Sequence, residues 1–235
     1  MSRRTLKKPA RDPYNAAMSS PLPPISLPPP PPTFPKHDPA SPAFWDVRFE
    51  AAFTPWDQGG VPQSLVDYVS QHPSAKKVLI PGCGAAHEVQ FLAGQGWDVT
   101  AIDFSPAAVA RARQLLGSLG NRVREVDFFG DALSRERFDA IYERAFLCAL
   151  PRHLWTAWAA RVAAIIPPDG RLFGFFFFDT NEKGPPFGIT DAELTTLLSP
   201  CFERIEDRAP ADSIGLFAGK ERWQVWQRLP SAHSL

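Results

Sequence analysis

Residues 78 to 89 read VLIPGCGAAHEV, an apolar run followed by two glycines, Gly82 and Gly84, and then a histidine. The pattern matches the first two places of the G-x-G-x-x-G loop, with His87 where the third glycine would stand. Glycines here let the backbone turn tightly and approach a ligand with no Cβ in the way. Asp103 ends the next apolar run, and a carboxylate at that point can accept hydrogen bonds from both hydroxyls of a ribose. Together these residues point to a nucleoside-containing cofactor and leave NAD and S-adenosylmethionine open. The residue at position 87 separates them. A third glycine allows close helix packing, so that a pyrophosphate can sit on the helix N-terminus. His87 and Glu88 occupy that helix start instead. A carboxylate there repels a pyrophosphate but is no obstacle to a ligand carrying an amine and a sulfonium. Cys83, between the glycines, reads as a small loop filler.

Two further stretches fit the same chemistry. EVDFF places Asp127 at the end of a third apolar run with Phe128 after it. A carboxylate there can take the adenine amino group, and an aromatic ring or its backbone N–H can meet the ring edge. IIPPDGRLF joins a helix to a strand through a proline turn, an arrangement frequent in class I methyltransferases.

These residues need an alternating scaffold, and the chain supplies one. Strands are predicted at KKVLIP (76–81), DVTAID (98–103), RVREVDF, FDAIYE and RLFGFFFF, with two more around CFERIED and RWQVWQRL. Helices are predicted at VPQSLVDYVSQH, HEVQFLAGQG, SPAAVARARQLL, RHLWTAWAARVAAII and from TDAEL onward. Ser105 is the expected N-cap of the third of these, with Pro106 at its first position, and Thr190 with Glu193 forms a capping box. Strands alternating with helices predict an α/β fold, a parallel sheet covered on both faces. Two strands with no crossover helix between them predict an antiparallel hairpin at one edge.

The totals restrict the partners. Lys and Arg number 25, as do Asp and Glu, so the balance gives no reason to expect a polyanion and nucleic acid is not an expected partner. No apolar run approaches the ~18 residues that span a membrane. Cys83, Cys148 and Cys201 are far apart, show no C-x-x-C spacing, and suggest neither disulfides nor a metal site. A cytoplasmic monomer is expected. Thirteen of the 26 prolines lie in residues 1 to 42, including the run Pro28 to Pro32. Each removes a backbone donor and restricts its neighbour. Residues 1–42 are therefore expected to be a disordered proline-rich tail, and 43–235 the folded domain.

With these pieces in place, the chain resembles the thiopurine S-methyltransferase superfamily, and within it the branch of thiol and halide methyltransferases. The resemblance rests on FWDVRFEAAFTPWDQG (44–59), VLIPGCGAAHEV (78–89), VTAIDFSPAAVARA (99–112), FDAIYERAFLCALP (138–151), PPDGRLF (167–173) and GPPF (184–187). It implies a seven-stranded, mostly parallel, Rossmann-like methyltransferase sheet with S-adenosyl-L-methionine as methyl donor. By this resemblance Trp45 and Trp56 lie over the cofactor, Gly82 and Gly84 meet the methionine moiety, Asp103 and Phe104 the ribose region, and Asp127 with Phe128 the adenine. Phe49 stands where family members usually carry a second tryptophan, which keeps an aromatic wall but loses an indole N–H donor. Arg144 matches the thiopurine type, whereas plant halide-type members carry tyrosine. It is expected to serve both cofactor and acceptor.

Methyl transfer from a sulfonium is an in-line displacement, and a thiolate or halide needs no protein nucleophile. No catalytic residue and no metal are therefore expected. Phe53, Trp56, Phe146 and Phe187 are the expected walls of a dry acceptor pocket, with Arg144 steering an anionic acceptor. His153 could act as a base but reads better as a helix-start residue. The expected reaction is methylation of the sulfur of a small thiol or thiopurine, with a halide as the alternative acceptor. Two rivals stand further off. An NAD(P)-dependent oxidoreductase predicts glycine at 87 and a Tyr/Lys or Cys/His constellation, neither of which is apparent. A binding protein recruited through the polyproline tail predicts loss of function on deleting residues 1 to 42.

Overall fold

A computed structural model describes residues 31–74 and 76–230. Packing divides the chain between Thr33 and Phe34, and the helices and strands of the described residues lie in the second unit. Of the tail expected over residues 1 to 42, the first thirty lie outside the described residues.

The elements run α1 (Pro42–Glu50), α2 (Gln63–Gln71), β1 (Lys77–Pro81), α3 (His87–Gly94), β2 (Asp98–Asp103), α4 (Pro106–Leu116), β3 (Val123–Glu125), β4 (Ala140–Arg144), α5 (Trp155–Ile165), β5 (Arg171–Phe177), α6 (Asp191–Leu198), β6 (Phe202–Arg208) and β7 (Glu221–Arg228). The seven strands form one sheet in the order β3-β2-β1-β4-β5-β7-β6. Strands β1 to β5 pair in parallel, while β7 runs antiparallel to both β5 and β6. The expected edge hairpin is present, with β7 inserted between β5 and β6.

Strand alternation divides the core. Val78 and Ile80 of β1 face one layer with Leu65 and Tyr68 of α2, Val89 and Leu92 of α3, and Val109 and Ala112 of α4. Leu79 faces the other layer, with Trp155, Trp158 and Val162 of α5 and Leu194 and Leu198 of α6. This is the period of two that a pleated strand imposes. It also explains why β5, RLFGFFF, has no polar face: both sides are covered, and Leu172 to Phe177 are all buried. The expected caps are formed. The Ser105 Oγ accepts from the Ala108 N–H at 3.1 Å, and the Thr190/Glu193 box is complete.

One helix lies outside the sequence reading, and two boundaries differ from it. The aromatic stretch after Ser41 is a helix, with Pro42 in the first turn, where a missing N–H costs nothing. The third strand stops at Glu125, because the Asp127 carboxylate accepts from the Phe129 N–H at 2.9 Å and turns the chain. Asp127 thus lies in the loop after β3 rather than at the strand's end. Helix α5 begins at Trp155, preceded by a single 3-10 turn over Arg152–Leu154 that includes His153.

Candidate active site

Because β1 to β5 are parallel, their carboxyl ends share one edge of the sheet, and a cavity of about 710 Å³ opens there. After Pro81 the chain turns through Gly82 (φ +57°) and Gly84 (φ +50°) into α3. A Cβ on Gly82 would fall 2.4 Å from the Phe146 ring, so the glycine keeps the wall close at this point. The turn is fixed by Asp103 at the tip of β2. One carboxylate oxygen accepts from the Gly84 N–H and the other from the Ser105 N–H, both at 3.0 Å. Each oxygen has two lone-pair directions, so each keeps acceptor capacity for a ligand hydroxyl. Asp103 is buried, and burial pushes its carboxyl up to about 6 against the pull of backbone N–H donors from Ser105, Gly84 and Phe104.

The roof is a continuous aromatic segment. The Trp45 and Trp56 rings meet edge to face at 5.5 Å, and Phe49 and Trp56 at 6.0 Å. The Trp45 indole N–H donates to the Pro39 carbonyl at 2.9 Å. Two polar ties hold this segment. The Asp46 carboxylate accepts from the Ser105 hydroxyl at 2.5 Å and from the Ala107 N–H at 3.2 Å, at the start of α4. Asp57 meets His87 Nε2 at 2.9 Å, at the start of α3. His87, which replaces a glycine of the dinucleotide pattern, thus anchors the roof.

The far wall follows β4. Arg144 lies over the Phe175 ring at 4.0 Å, and its buried Nη1 has no partner among the described residues. It borders both the main cavity and a small recess shared with Gly82, Gly84, His87 and Glu88. Ala145 then takes a left-handed turn (φ +58°). That turn is held by Glu143, whose Oε1 accepts from the N–H groups of Phe146 at 2.7 Å and Leu147 at 3.0 Å. Burial pushes the Glu143 carboxyl up to about 7. Beyond it, Cys148, Phe177, Ile214 and Phe217 form a small apolar cluster against Trp56 and Ala145.

Trp45, Phe49, Phe53, Trp56, Gly82, Gly84, Asp103, Phe104, Asp127, Phe128, Arg144 and Phe146 all line the main cavity. Phe187 does not. It packs against the α5–α6 side of the core, while its backbone N–H donates to the Cys148 carbonyl at 2.7 Å. Gly184, Pro185 and Pro186 take the wall position expected for it. The sequence reading missed Pro39 and Ala40, Phe44 and Arg48 on α1, Cys148, and the rim residues Leu216 and Phe217. For α1 a signal existed: Phe44, Trp45, Arg48 and Phe49 recur at the three-to-four spacing of one helical face. Among the described residues no group of His, Cys, Asp or Glu is arranged to hold a metal, and no helix is long and apolar enough to cross a membrane.

The fold is shared with solved methyltransferases. The 1,6-didemethyltoxoflavin-N1-methyltransferase of Burkholderia thailandensis, solved with S-adenosylhomocysteine, superposes with a TM-score of 0.66, covering 85% of this chain and 94% of that one at 19% identity. The strand order, the glycine turn and the acid at the tip of β2 define a class I, S-adenosylmethionine-dependent methyltransferase. Within that class, the profile of the thiopurine S-methyltransferase family matches residues 40–229, and the chain belongs to this family. Among its relatives, a probable thiol methyltransferase 2 of Arabidopsis thaliana is 29% identical over 81% of this chain and 87% of its own length. A thiopurine S-methyltransferase of Vibrio cholerae is 30% identical over 68% of this chain and 82% of its own.

Proposed function

We propose that the protein methylates the sulfur of a small, ring-sized thiol or thiopurine, using S-adenosylmethionine bound along the edge from Asp127 to Arg144. The observation that carries this reading is a single cavity joining an acidic, glycine-lined end to an aromatic end. Asp103 offers acceptors for the two ribose hydroxyls. Gly82, whose Cβ position is filled by the Phe146 ring, offers bare backbone to the methionine chain, and the Nη1 of Arg144, without a partner among the described residues, suits a carboxylate. Asp127 and Phe128 face the adenine position. Bound S-adenosylmethionine supplies an electrophilic methyl group on a sulfonium.

The chain's own residues contribute orientation and a dry environment. Thiolate and sulfonium charges cancel in the transition state, so a site lined by Phe53, Trp56, Phe146 and Phe217 favours that step over water. Holding the sulfur in line with the leaving group converts a bimolecular encounter into a positioned one. The cavity of about 710 Å³ takes cofactor and acceptor together, and the aromatic lining of its acceptor end, Phe53, Trp56, Phe146 and Phe217, suits the apolar faces of a ring-bearing thiol better than a halide ion. The test is calorimetry followed by a radiolabelled methyl assay on thiophenol, a thiopurine, bisulfide and iodide. Binding of S-adenosylhomocysteine without NAD binding, and label on the aromatic thiols, are the expected results. Label on iodide alone would replace thiol with halide as the acceptor.

The Asp103 carboxyl adds a pH dependence. Its folded value, about 6, lies above the ordinary 3.8, so the apo fold holds this proton more tightly than the unfolded chain. This group's contribution to stability therefore falls as pH rises through that window and is level above it. Cofactor binding runs the other way, because ribose hydroxyls donate best to the ionised form. The affinity for S-adenosylhomocysteine is expected to weaken about 10-fold on going from about pH 7.5 to about pH 5. A flat titration profile in that window would remove Asp103 from the ribose site.

A further inference from the structure

Arg48 is a second guanidinium on the wall of the cavity, and the proposed reaction leaves it without a task. It sits on α1 between two rings, 3.4 Å from the Phe44 centroid and 4.7 Å from that of Phe34. Phe34 in turn packs on Phe53 at 5.5 Å. One guanidinium N–H donates to the Phe44 carbonyl, and Arg48 forms no ion pair among the described residues. A guanidinium carries five N–H donors, so most of its capacity is unspent at a cavity wall. Helix geometry fixes which way it faces. Asp46 is turned to α4, and Phe49 to the glycine loop, its ring 3.6 Å from the place of a Gly84 Cβ. At 3.6 residues per turn, Arg48 and Phe44 occupy the flank of α1 turned away from α4, on the side of Phe53. A guanidinium held between rings is preorganised and is more weakly hydrated than an ammonium, a state suited to bidentate capture of a planar anion.

We propose that Arg48 selects acceptors that carry a carboxylate or a similar planar anionic group on the thiol-bearing ring, so that the preferred substrate class is an anionic aromatic thiol. The proposal rests on the S-methyl transfer reading above. It separates the two arginines: Arg144 belongs to the methionine end and Arg48 to the acceptor.

The test compares para-mercaptobenzoate with its neutral amide, para-mercaptobenzamide, first in the wild-type enzyme. The carboxylate is expected to show a kcat/KM about 10- to 100-fold higher, carried by KM, in keeping with a charged hydrogen-bonded pair. Arg48→Gln should abolish that preference while leaving turnover of the amide and affinity for S-adenosylhomocysteine within about 3-fold, and Arg48→Lys should restore only part of it. Equal kcat/KM for the two thiols in the wild type would overturn the proposal whatever the variants do. So would a preference that Arg48→Gln leaves unmoved. Failure of the wild type to methylate either thiol would overturn this proposal, and the S-methyl transfer reading would fall with it only if thiophenol, the thiopurine and bisulfide were also left unlabelled.

Discussion

Asp103→Ala is expected to weaken binding of S-adenosylhomocysteine by about 2–4 kcal/mol, roughly 30- to 1000-fold, in calorimetry at neutral pH. Two losses combine. In the proposed assignment the carboxylate accepts from both ribose hydroxyls, and hydrogen bonds to a charged group contribute about 1.5–3 kcal/mol each, less than additively. The same side chain also holds the Gly84 and Ser105 N–H groups, so alanine leaves the buried Ser105 N–H and the partly buried Gly84 N–H unpaired and loosens the glycine turn. Asp103→Asn separates these contributions. It keeps one oxygen acceptor and carries no charge, so its affinity should fall between those of wild type and alanine. An alanine variant with wild-type affinity would show that the cofactor does not use this carboxylate, and the whole edge assignment would have to move.

The second large effect concerns stability. Gly174 lies mid-strand in β5, paired with Glu143 of β4 and Gln224 of β7. Its φ is +141°, and an added Cβ would sit 2.0 Å from the Glu143 carbonyl oxygen and 2.8 Å from its carbonyl carbon. These are backbone atoms of a paired central strand, so no rotamer change relieves the clash. Gly174→Ala must spread β4 from β5, and the strain falls on Glu143, Arg144 and the turn that Glu143 holds. A loss of more than about 3 kcal/mol is expected, a large part of the 5–15 kcal/mol that stabilises an ordinary domain. Urea denaturation measures it directly. An unchanged midpoint with an unchanged slope would mean that the sheet does not pack as described.

Much of this molecule is legible in its sequence. Hydrophobic period and capping residues gave the alternating elements, because each local preference agrees with the packing that surrounds it. Asp103 was legible for the same reason, being the polar residue that ends an apolar run one strand after the glycine turn. What escaped has a common cause: it depends on contacts between distant segments. Gly174 sits inside FGFFFF, where only the pairing with Glu143 requires its backbone angle. Glu143 looks like a strand residue, and nothing in its neighbours shows that its carboxyl binds the N–H groups of the next turn. Arg48, the charged residue of an aromatic helix, reads as solvent-facing until Phe34 and Phe44 are seen on either side of it. Phe187 was misplaced because a motif fixes the position of a segment, not which of its side chains faces the ligand.

The two ties of the roof have a bearing on how such an enzyme diversifies. Asp46 is fastened to the start of α4 and Asp57 to His87 at the start of α3, so the roof takes its position from the tips of β1 and β2. The opposite wall, with Cys148, Pro185, Pro186 and Phe217, hangs from the loops after β4, β5 and β6. Substitutions far apart with no shared partner act nearly independently. These loops can therefore change one residue at a time without disturbing the turns at the tips of β1 and β2 that hold the roof. The cavity is thus built from one wall that is tied at two points and another that is free to be re-cut, and both border the same 710 Å³.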